Sequence, residues 1–251
     1  MLDQIELNDI ESIALEAGNT IMEIYNRDFS VEYKDDKSPL TEADLASNEV
    51  IIKALEKYNI PVMSEEGKEI PYEERKAWEY YWCIDPIDGT KEFIKKNDEF
   101  TVNIALIHNN IPILGVVYAP ALNEMYYAKQ GEGAFKDGQK LPLKINTTPE
   151  KNLVVVASKS HLSEETQTFI DELAQTTQNI TQQSRGSSLK LVMVAEGEAD
   201  IYPSLAPTME WDTAAADAIA RESGKQVVQY ENDKTLMYNK ENLLNPSFIV
   251  K

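Results

Sequence analysis

Residues Trp82 to Thr90 read Trp-Cys-Ile-Asp-Pro-Ile-Asp-Gly-Thr, and they concentrate the chemistry of this chain. An apolar run, Tyr80 to Ile84, stops at two aspartates three apart, Asp85 and Asp88, with a proline between them and Gly89-Thr90 behind. Two carboxylates delivered to one point by a buried strand repel each other, and desolvation raises the cost unless a cation lies between them. An all-oxygen donor set on a stiff turn suits Mg²⁺ or Mn²⁺ rather than a softer metal. The alternative is an ordinary surface turn, which Asp-Pro and Asp-Gly often mark.

Three further acidic positions stand where elements are expected to begin or end. Asp44 lies in Thr41-Glu42-Ala43-Asp44, Glu65 and Glu66 follow a short apolar stretch, and Asp212 opens Asp212-Thr213-Ala214-Ala215. Each has a structural alternative: Asp44 as partner of Thr41 in a capping box, Asp212 as a complement to a helix dipole, the glutamate pair as an exposed turn. Taken together they match a site in which several carboxylates hold two or three divalent ions for phosphoryl transfer. Gly89-Thr90 adds backbone N–H groups at a turn entering a helix, a nest for an anion, and Gly186-Ser187-Ser188 offers the same from the second half.

These residues need elements to hold them. Ile10, Ile13, Ala14, Ala17, Ile21, Ile24 and Tyr25 form a helical stripe over 9–27. A second helix is expected over about 42–58, with Leu45, Ala46, Val50, Ile51 and Leu55 inward. Ile60–Met63 reads as a short strand. Thr101–Ile107 and Ile113–Tyr118 read as strands joined through His108-Asn109-Asn110, and Glu124–Lys129 with Gly131–Lys140 continues the antiparallel run through an Asp137-Gly138 turn. Leu153–Ala157 and Ala199–Tyr202 are expected strands; 163–176, 188–196 and 212–222 are expected helices, the last closed by Gly224. Helices, then antiparallel strands, then alternating strand and helix imply layered sheets and helices, an α+β and α/β combination. No Gly-x-Gly-x-x-Gly is present.

Across 251 residues the hydrophobic share is 42% and the charged share 27%, which fits a soluble globular chain with a sizeable core. The formal charge of −19 argues against nucleic acid or an anionic membrane as partner. A phosphorylated substrate would therefore need bound cations that invert the field locally. One cysteine, Cys83, permits no intrachain disulfide, which points to a cytoplasmic setting. It reads as a small buried hydrophobe rather than a nucleophile. Neither a signal-peptide pattern nor a membrane-spanning apolar run is visible, and peripheral association with the inner membrane is left open, as is oligomeric state.

The chain resembles the inositol monophosphatase-like, Mg²⁺-dependent, lithium-sensitive phosphatases, and within them the bacterial CysQ-type 3′(2′),5′-bisphosphate nucleotidases. The resemblance rests on Asp85-Pro86-Ile87-Asp88-Gly89-Thr90 and Trp211-Asp212-Thr213-Ala214, in that order. Further support comes from Lys91-Glu92-Phe93-Ile94, Asn97, Glu99–Leu106, Ile113–Pro120 and Gly186–Lys190. It implies an α-β-α-β-α sandwich, with an N-terminal α+β half over 1–140 and a C-terminal α/β half over 141–251. It implies a first metal on Glu65, Asp85 and the Ile87 carbonyl, a second on Asp85, Asp88 and Asp212, and a looser third on Glu65, with Mg²⁺ as the ion, Mn²⁺ as a substitute and Li⁺ as an inhibitor. Thr90, held by Asp44, would orient the attacking water, with Glu65 counted among the catalytic groups. Gly89 and Thr90 would take the phosphate. Lys91, Ser158, His161, Gly186, Lys190 and Asp212 would complete a substrate site for a small nucleotide bisphosphate. The implied reaction is hydrolysis of the 3′-phosphate of adenosine 3′,5′-bisphosphate, or of 3′-phosphoadenylyl sulfate. An inositol or sugar monophosphatase, and a nucleotide- or metal-sensing protein without turnover, are the alternatives.

Overall fold

The computed structural model describes residues 4–34, 38–158 and 163–251. Helix α1 (Leu7–Tyr25) is followed by a small hairpin, β1 (Val31–Tyr33) and β2 (Pro39–Thr41), which feeds α2 (Glu42–Leu55). Then come β3 (Val62–Ser64), the one-turn α3 (Tyr72–Arg75), β4 (Tyr80–Asp88) and the short α4 (Thr90–Ile94). Strands β5 (Thr101–His108), β6 (Ile111–Ala119), β7 (Glu124–Lys129), β8 (Gly133–Lys136) and β9 (Gln139–Lys140) complete a seven-stranded sheet in the order β3-β4-β5-β6-β7-β8-β9. Only the β3–β4 pair is parallel.

The remaining chain builds a second layer of strands. Strand β10 (Asn152–Ser158), α5 (Glu164–Leu173), β11 (Asn179–Arg185), α6 (Leu189–Glu196), β12 (Tyr202–Ser204), α7 (Glu210–Glu222), β13 (Val227–Gln229) and β14 (Phe248–Val250) follow in order. β10 and β11 pair in parallel, β12-β14-β13 form an antiparallel trio, and a bridge from Val155 to Ile201 links the two groups.

Alternation along β4 and β5 explains the layering. Trp82, Ile84, Ile104 and Leu106 face a core with Ile10, Ala14, Ile21 and Ile51 of α1 and α2. Tyr81, Cys83, Ala105 and Ile107 face the other way, into a core with α6, α7 and the inner face of the second sheet. Val155 and Ala157 close a third cluster with Ile170 of α5. The result is helix, sheet, helix, sheet, helix: the α-β-α-β-α sandwich. A strand buried on both faces explains why β4, β5 and β6 read as continuous apolar runs.

A row of small side chains crosses the first sheet. Cys83 pairs with Ala105, Ala105 with Gly115, Gly115 with Ala128 and Ala128 with Ala134. Helix α7, with Ala214, Ala215, Ala216, Ala218 and Ala220 buried, lies across this trough. A Cβ built on Gly115 would stand 2.2 Å from the Ala215 carbonyl oxygen.

Several elements differ from expectation. β4 does not stop at Ile84 but runs on to Asp88 through a bulge: Asp85 pairs with Asn103 and Asp88 with Thr101, so three steps on β4 match two on β5. Leu45 is 51% exposed rather than inward. The inward face of α2 is instead Ala43, Asp44, Ser47, Ile51 and Leu55, because the helix turns Asp44 toward the site. β11, β13 and β14 correspond to no expected strand; β11, Asn-Ile-Thr-Gln-Gln-Ser-Arg, is polar and largely exposed, so no apolar period marks it. The expected Ala199–Tyr202 strand shifts to Tyr202–Ser204.

Candidate active site

The β4 bulge, the N-terminus of α7 and the start of α2 converge. Asp85, Asp88 and Asp212 each present a carboxylate oxygen, and these oxygens lie within 4.8 Å of one another. Burial, then the charges of Glu65, Asp88 and Asp212, push the Asp85 carboxyl well above the ordinary range. Burial, then the neighbouring Asp88, does the same to Asp212. Asp88 is pushed up to about 6 by burial, an effect that Lys190 and the Ser188 N–H oppose. Three mutually repelling carboxylates with only oxygen donors, aimed into one space, fit a hard divalent cation. Cys83, the nearest soft donor in sequence, is buried in the apolar core with its thiol pushed up by burial.

Each carboxylate is held by the backbone. Ile87 N–H donates to Asp85 Oδ1 at 3.0 Å. Met209 N–H donates to Asp212 Oδ2 at 2.7 Å, so Asp212 caps α7 as well as belonging to the carboxylate cluster. Ser188 N–H donates to Asp88 Oδ2 at 2.5 Å. Glu65 adjoins Asp85, and its Oε1 accepts from Lys34 Nζ at 3.1 Å, while Glu66 takes the same ammonium at 2.6 Å.

Asp44 is 2% exposed and makes both predicted connections. Its Oδ2 accepts from Thr41 N–H at 2.8 Å and Thr41 Oγ1 at 2.7 Å, completing the capping box. Its Oδ1 accepts from Thr90 Oγ1 at 3.0 Å. The Ile87 carbonyl is a second acceptor for that hydroxyl, at 3.3 Å. Burial raises the Asp44 carboxyl against the hydrogen bonds from Thr41 and Thr90. With its hydrogen committed to Asp44, the Thr90 oxygen offers lone pairs to a water. If such a water is the nucleophile of a hydrolysis, Thr90→Val should lower its rate by about 10²-fold or more, and Thr90→Ser should restore most of it; steady-state rates check this, and an unimpaired valine variant would refute it.

Gly89, at φ +93°, caps α4 and lets the chain turn against the Glu99 carbonyl and Ser187. A pocket of about 180 Å³ lined by Glu65, Asp85, Ile87, Asp88, Thr90 and Asp212 shares Asp88, Gly89, Lys91, Glu92 and Asp212 with a larger cleft of about 360 Å³. That cleft is walled by Ser158, Thr166, Gly186, Lys190 and the segment 202–208. Lys190 donates to the Ser187 carbonyl at 2.6 Å, stands 5.7 Å from the Tyr202 ring centre and acts electrostatically on Asp88 and Asp212. His161 lies outside the described residues. The Gly186–Ser188 turn departs from the anion nest expected of it. Gly186 N–H donates to Glu99 Oε2 at 3.0 Å and Ser188 N–H to Asp88, so protein carboxylates occupy both donors. Asn103, Thr101 and Glu99, all within the Glu99–Leu106 stretch, also bear on the site through Ser188 and Gly186, and nothing in their local spacing marks them individually.

The sandwich and the carboxylate cluster define a metal-assisted phosphatase architecture, and the chain belongs to the inositol monophosphatase family, whose model matches residues 1–248. Among its curated relatives is the 3′(2′),5′-bisphosphate nucleotidase CysQ of Salmonella typhimurium, 45% identical and covering 97% of this chain and 98% of the relative. The Escherichia coli K12 protein of the same name is 43% identical over the same shares. The crystal structure of CysQ from Bacteroides thetaiotaomicron superposes with a TM-score of 0.89 at 44% identity, covering 98% of this chain and 96% of that one. A Thermotoga maritima IMPase follows at a TM-score of 0.77 and 28% identity, over 96% and 89%. No helix among the described residues is long and apolar enough to cross a membrane.

Proposed function

We propose that this chain is a 3′(2′),5′-bisphosphate nucleotidase that hydrolyses the 3′-phosphate of adenosine 3′,5′-bisphosphate to AMP and phosphate. The observation that carries this reading is the junction of the carboxylate pocket with a second, roomier cleft bearing Lys190, Lys91 and Ser158. A monophosphate needs only the first; a nucleotide with two phosphates needs both. The high identity to CysQ nucleotidases over nearly the whole chain supports the same substrate class.

Mg²⁺ held by Glu65, Asp85, Asp88, Asp212 and the Ile87 carbonyl would polarise the phosphate and lower the pKa of a water. The protein's own part is positional. Thr90 Oγ1 accepts a hydrogen bond from the attacking water and so orients it, with Asp44 fixing the hydroxyl. Gly89 and Thr90 present N–H groups at the turn where phosphate enters. The water oxygen bonds to phosphorus and gives up one proton, the bond from phosphorus to the 3′ oxygen breaks, and that oxygen leaves as a hydroxyl on gaining one proton from solvent, so the proton count balances. Lys190 answers the charge of the second phosphate as a flexible point cation. The number of ions, their identity in the cell and a cytoplasmic location are parts of the same proposal.

Phosphate release should proceed with adenosine 3′,5′-bisphosphate and Mg²⁺, at a kcat/KM well above that for inositol 1-phosphate, and should fall on adding Li⁺. Preference for the inositol ester would instead favour the monophosphatase reading. Nucleotide binding without release would favour a sensor.

A further inference from the structure

Glu99 stands between the two halves of the site. Its carboxylate is almost wholly buried, with Oε2 accepting the Gly186 N–H at 3.0 Å and Oε1 accepting Arg185 Nη1 at 3.1 Å. Its own N–H is fixed by Asn97 Oδ1 at 3.1 Å. The contact is close: a Cβ on Gly186 would lie 2.8 Å from the Glu99 carbonyl oxygen and 3.1 Å from Glu99 Cβ. The same Glu99 carbonyl lies 3.2 Å from the Cβ position of Gly89, on the phosphate turn. Two residues beyond Gly186, past Ser187 at φ +48°, Ser188 gives its N–H to Asp88 Oδ2. Ser188 is 1% exposed, and its hydroxyl joins Thr101 Oγ1 at 2.8 Å and Asn103 Oδ1 at 2.9 Å. The turn is therefore tied at one end to Glu99, in the loop just before β5, and at the other to the β5 residues beside Asp88.

We infer that Glu99 is a positioning residue for the acidic site: it clamps the Gly186 backbone, and the Arg185 side chain beside it, so that Ser188 N–H occupies one oxygen of Asp88 and leaves the other for a cation. Asp88 then presents a single defined oxygen instead of rotating between two. Groups that orient a ligand in this way typically change metal affinity by about 10–100-fold when removed. The inference rests on the carboxylate triplet being a divalent-metal site. It is separate from substrate choice, because Glu99 itself lines neither pocket and meets the cleft wall only through the backbone N–H of Gly186.

Mg²⁺ binding by isothermal titration calorimetry on the full chain tests it, with Asp88→Asn as reference. Glu99→Ala should raise the Mg²⁺ Kd by about tenfold or more, and raise the Mg²⁺ concentration needed for half-maximal turnover in parallel. KM for nucleotide at saturating Mg²⁺ should stay close to the parent value. Glu99→Gln keeps an oxygen for Gly186 N–H and loses only a partly exposed ion pair, so it should rescue Kd to within about fivefold. Glu99→Asp, whose carboxylate is drawn back by one methylene, should resemble alanine and serves if the alanine variant does not fold. A purely structural role would lower Tm in all variants without this ordering. Parent-like Kd in both Glu99→Ala and Glu99→Asp overturns the inference alone. A parent that binds no Mg²⁺, or an Asp88→Asn variant that binds as the parent does, overturns the metal site as well.

Discussion

Asp85→Asn is expected to reduce turnover by about 10³-fold or more while leaving the chain folded, on the basis that losing several kcal/mol of metal-borne transition-state stabilisation costs a factor of ten per 1.4 kcal/mol. Asp85 is pressed by its surroundings: burial first, then Glu65, Asp88 and Asp212, all raise its pKa. Removing its charge removes repulsion, so stability without metal should hold or increase. The pH dependence follows in sign. A carboxyl whose folded pKa lies above its unfolded value, near 4, binds more protons folded than unfolded, so stability falls as pH rises between the two. For Asp88 that window closes near 6; for Asp85 and Asp212 the sign is the same. In chelator, Tm should therefore decline from pH 5 to pH 7, less steeply in Asp85→Asn, and saturating Mg²⁺ should restore it. Chelation should stop turnover without loss of the far-ultraviolet circular dichroism signal, since the core does not depend on a metal. Parent-like turnover in Asp85→Asn, or an identical pH slope, would contradict the assignment.

The second large effect is expected from a residue that touches no ligand. Gly115→Ala places a methyl 2.2 Å from the Ala215 carbonyl oxygen and 2.9 Å from Ala218 Cβ. The obstruction is helix backbone, so α7 itself must move. The cost should be about 3 kcal/mol or more, which for a chain of this size lowers Tm by roughly 6–12 °C. Because Asp212 rides on the first turn of α7, the Mg²⁺ concentration for half-maximal activity should rise as well. Thermal melts with and without Mg²⁺ read the two effects. A variant that melts with the parent would show that the trough has slack.

What could be read directly from the sequence was what local chemistry encodes. The stripe from Ile10 to Tyr25 is one face of a helix, and Asn109-Asn110, at φ 47° and 67°, is a turn whose residues tolerate that conformation. The Thr41/Asp44 pair announces the start of α2 and is one half of the Asp44 arrangement as well. Leu45 misled because apolar character alone does not say which way a helix turns; the buried Asp44 and Ser47 do. β11 escaped because its pairing with β10 is a tertiary fact that a polar heptapeptide does not advertise. Glu99 and Asn103 lay inside a recognised stretch, yet their partners, Gly186 and Ser188, are 87 and 85 residues away along the chain. Spacing within a motif cannot name a partner so distant.

The irregularity in β4 has a consequence in parity. In a regular strand, residues an odd number apart point to opposite faces, so Asp85 and Asp88 would be separated by the thickness of the sheet. One added residue changes odd to even, and both carboxylates emerge on the same side. The spacing of three is thus legal only together with the defect that contains it. Any attempt to move this pair onto another strand must carry the defect along, or else re-space the two acids evenly.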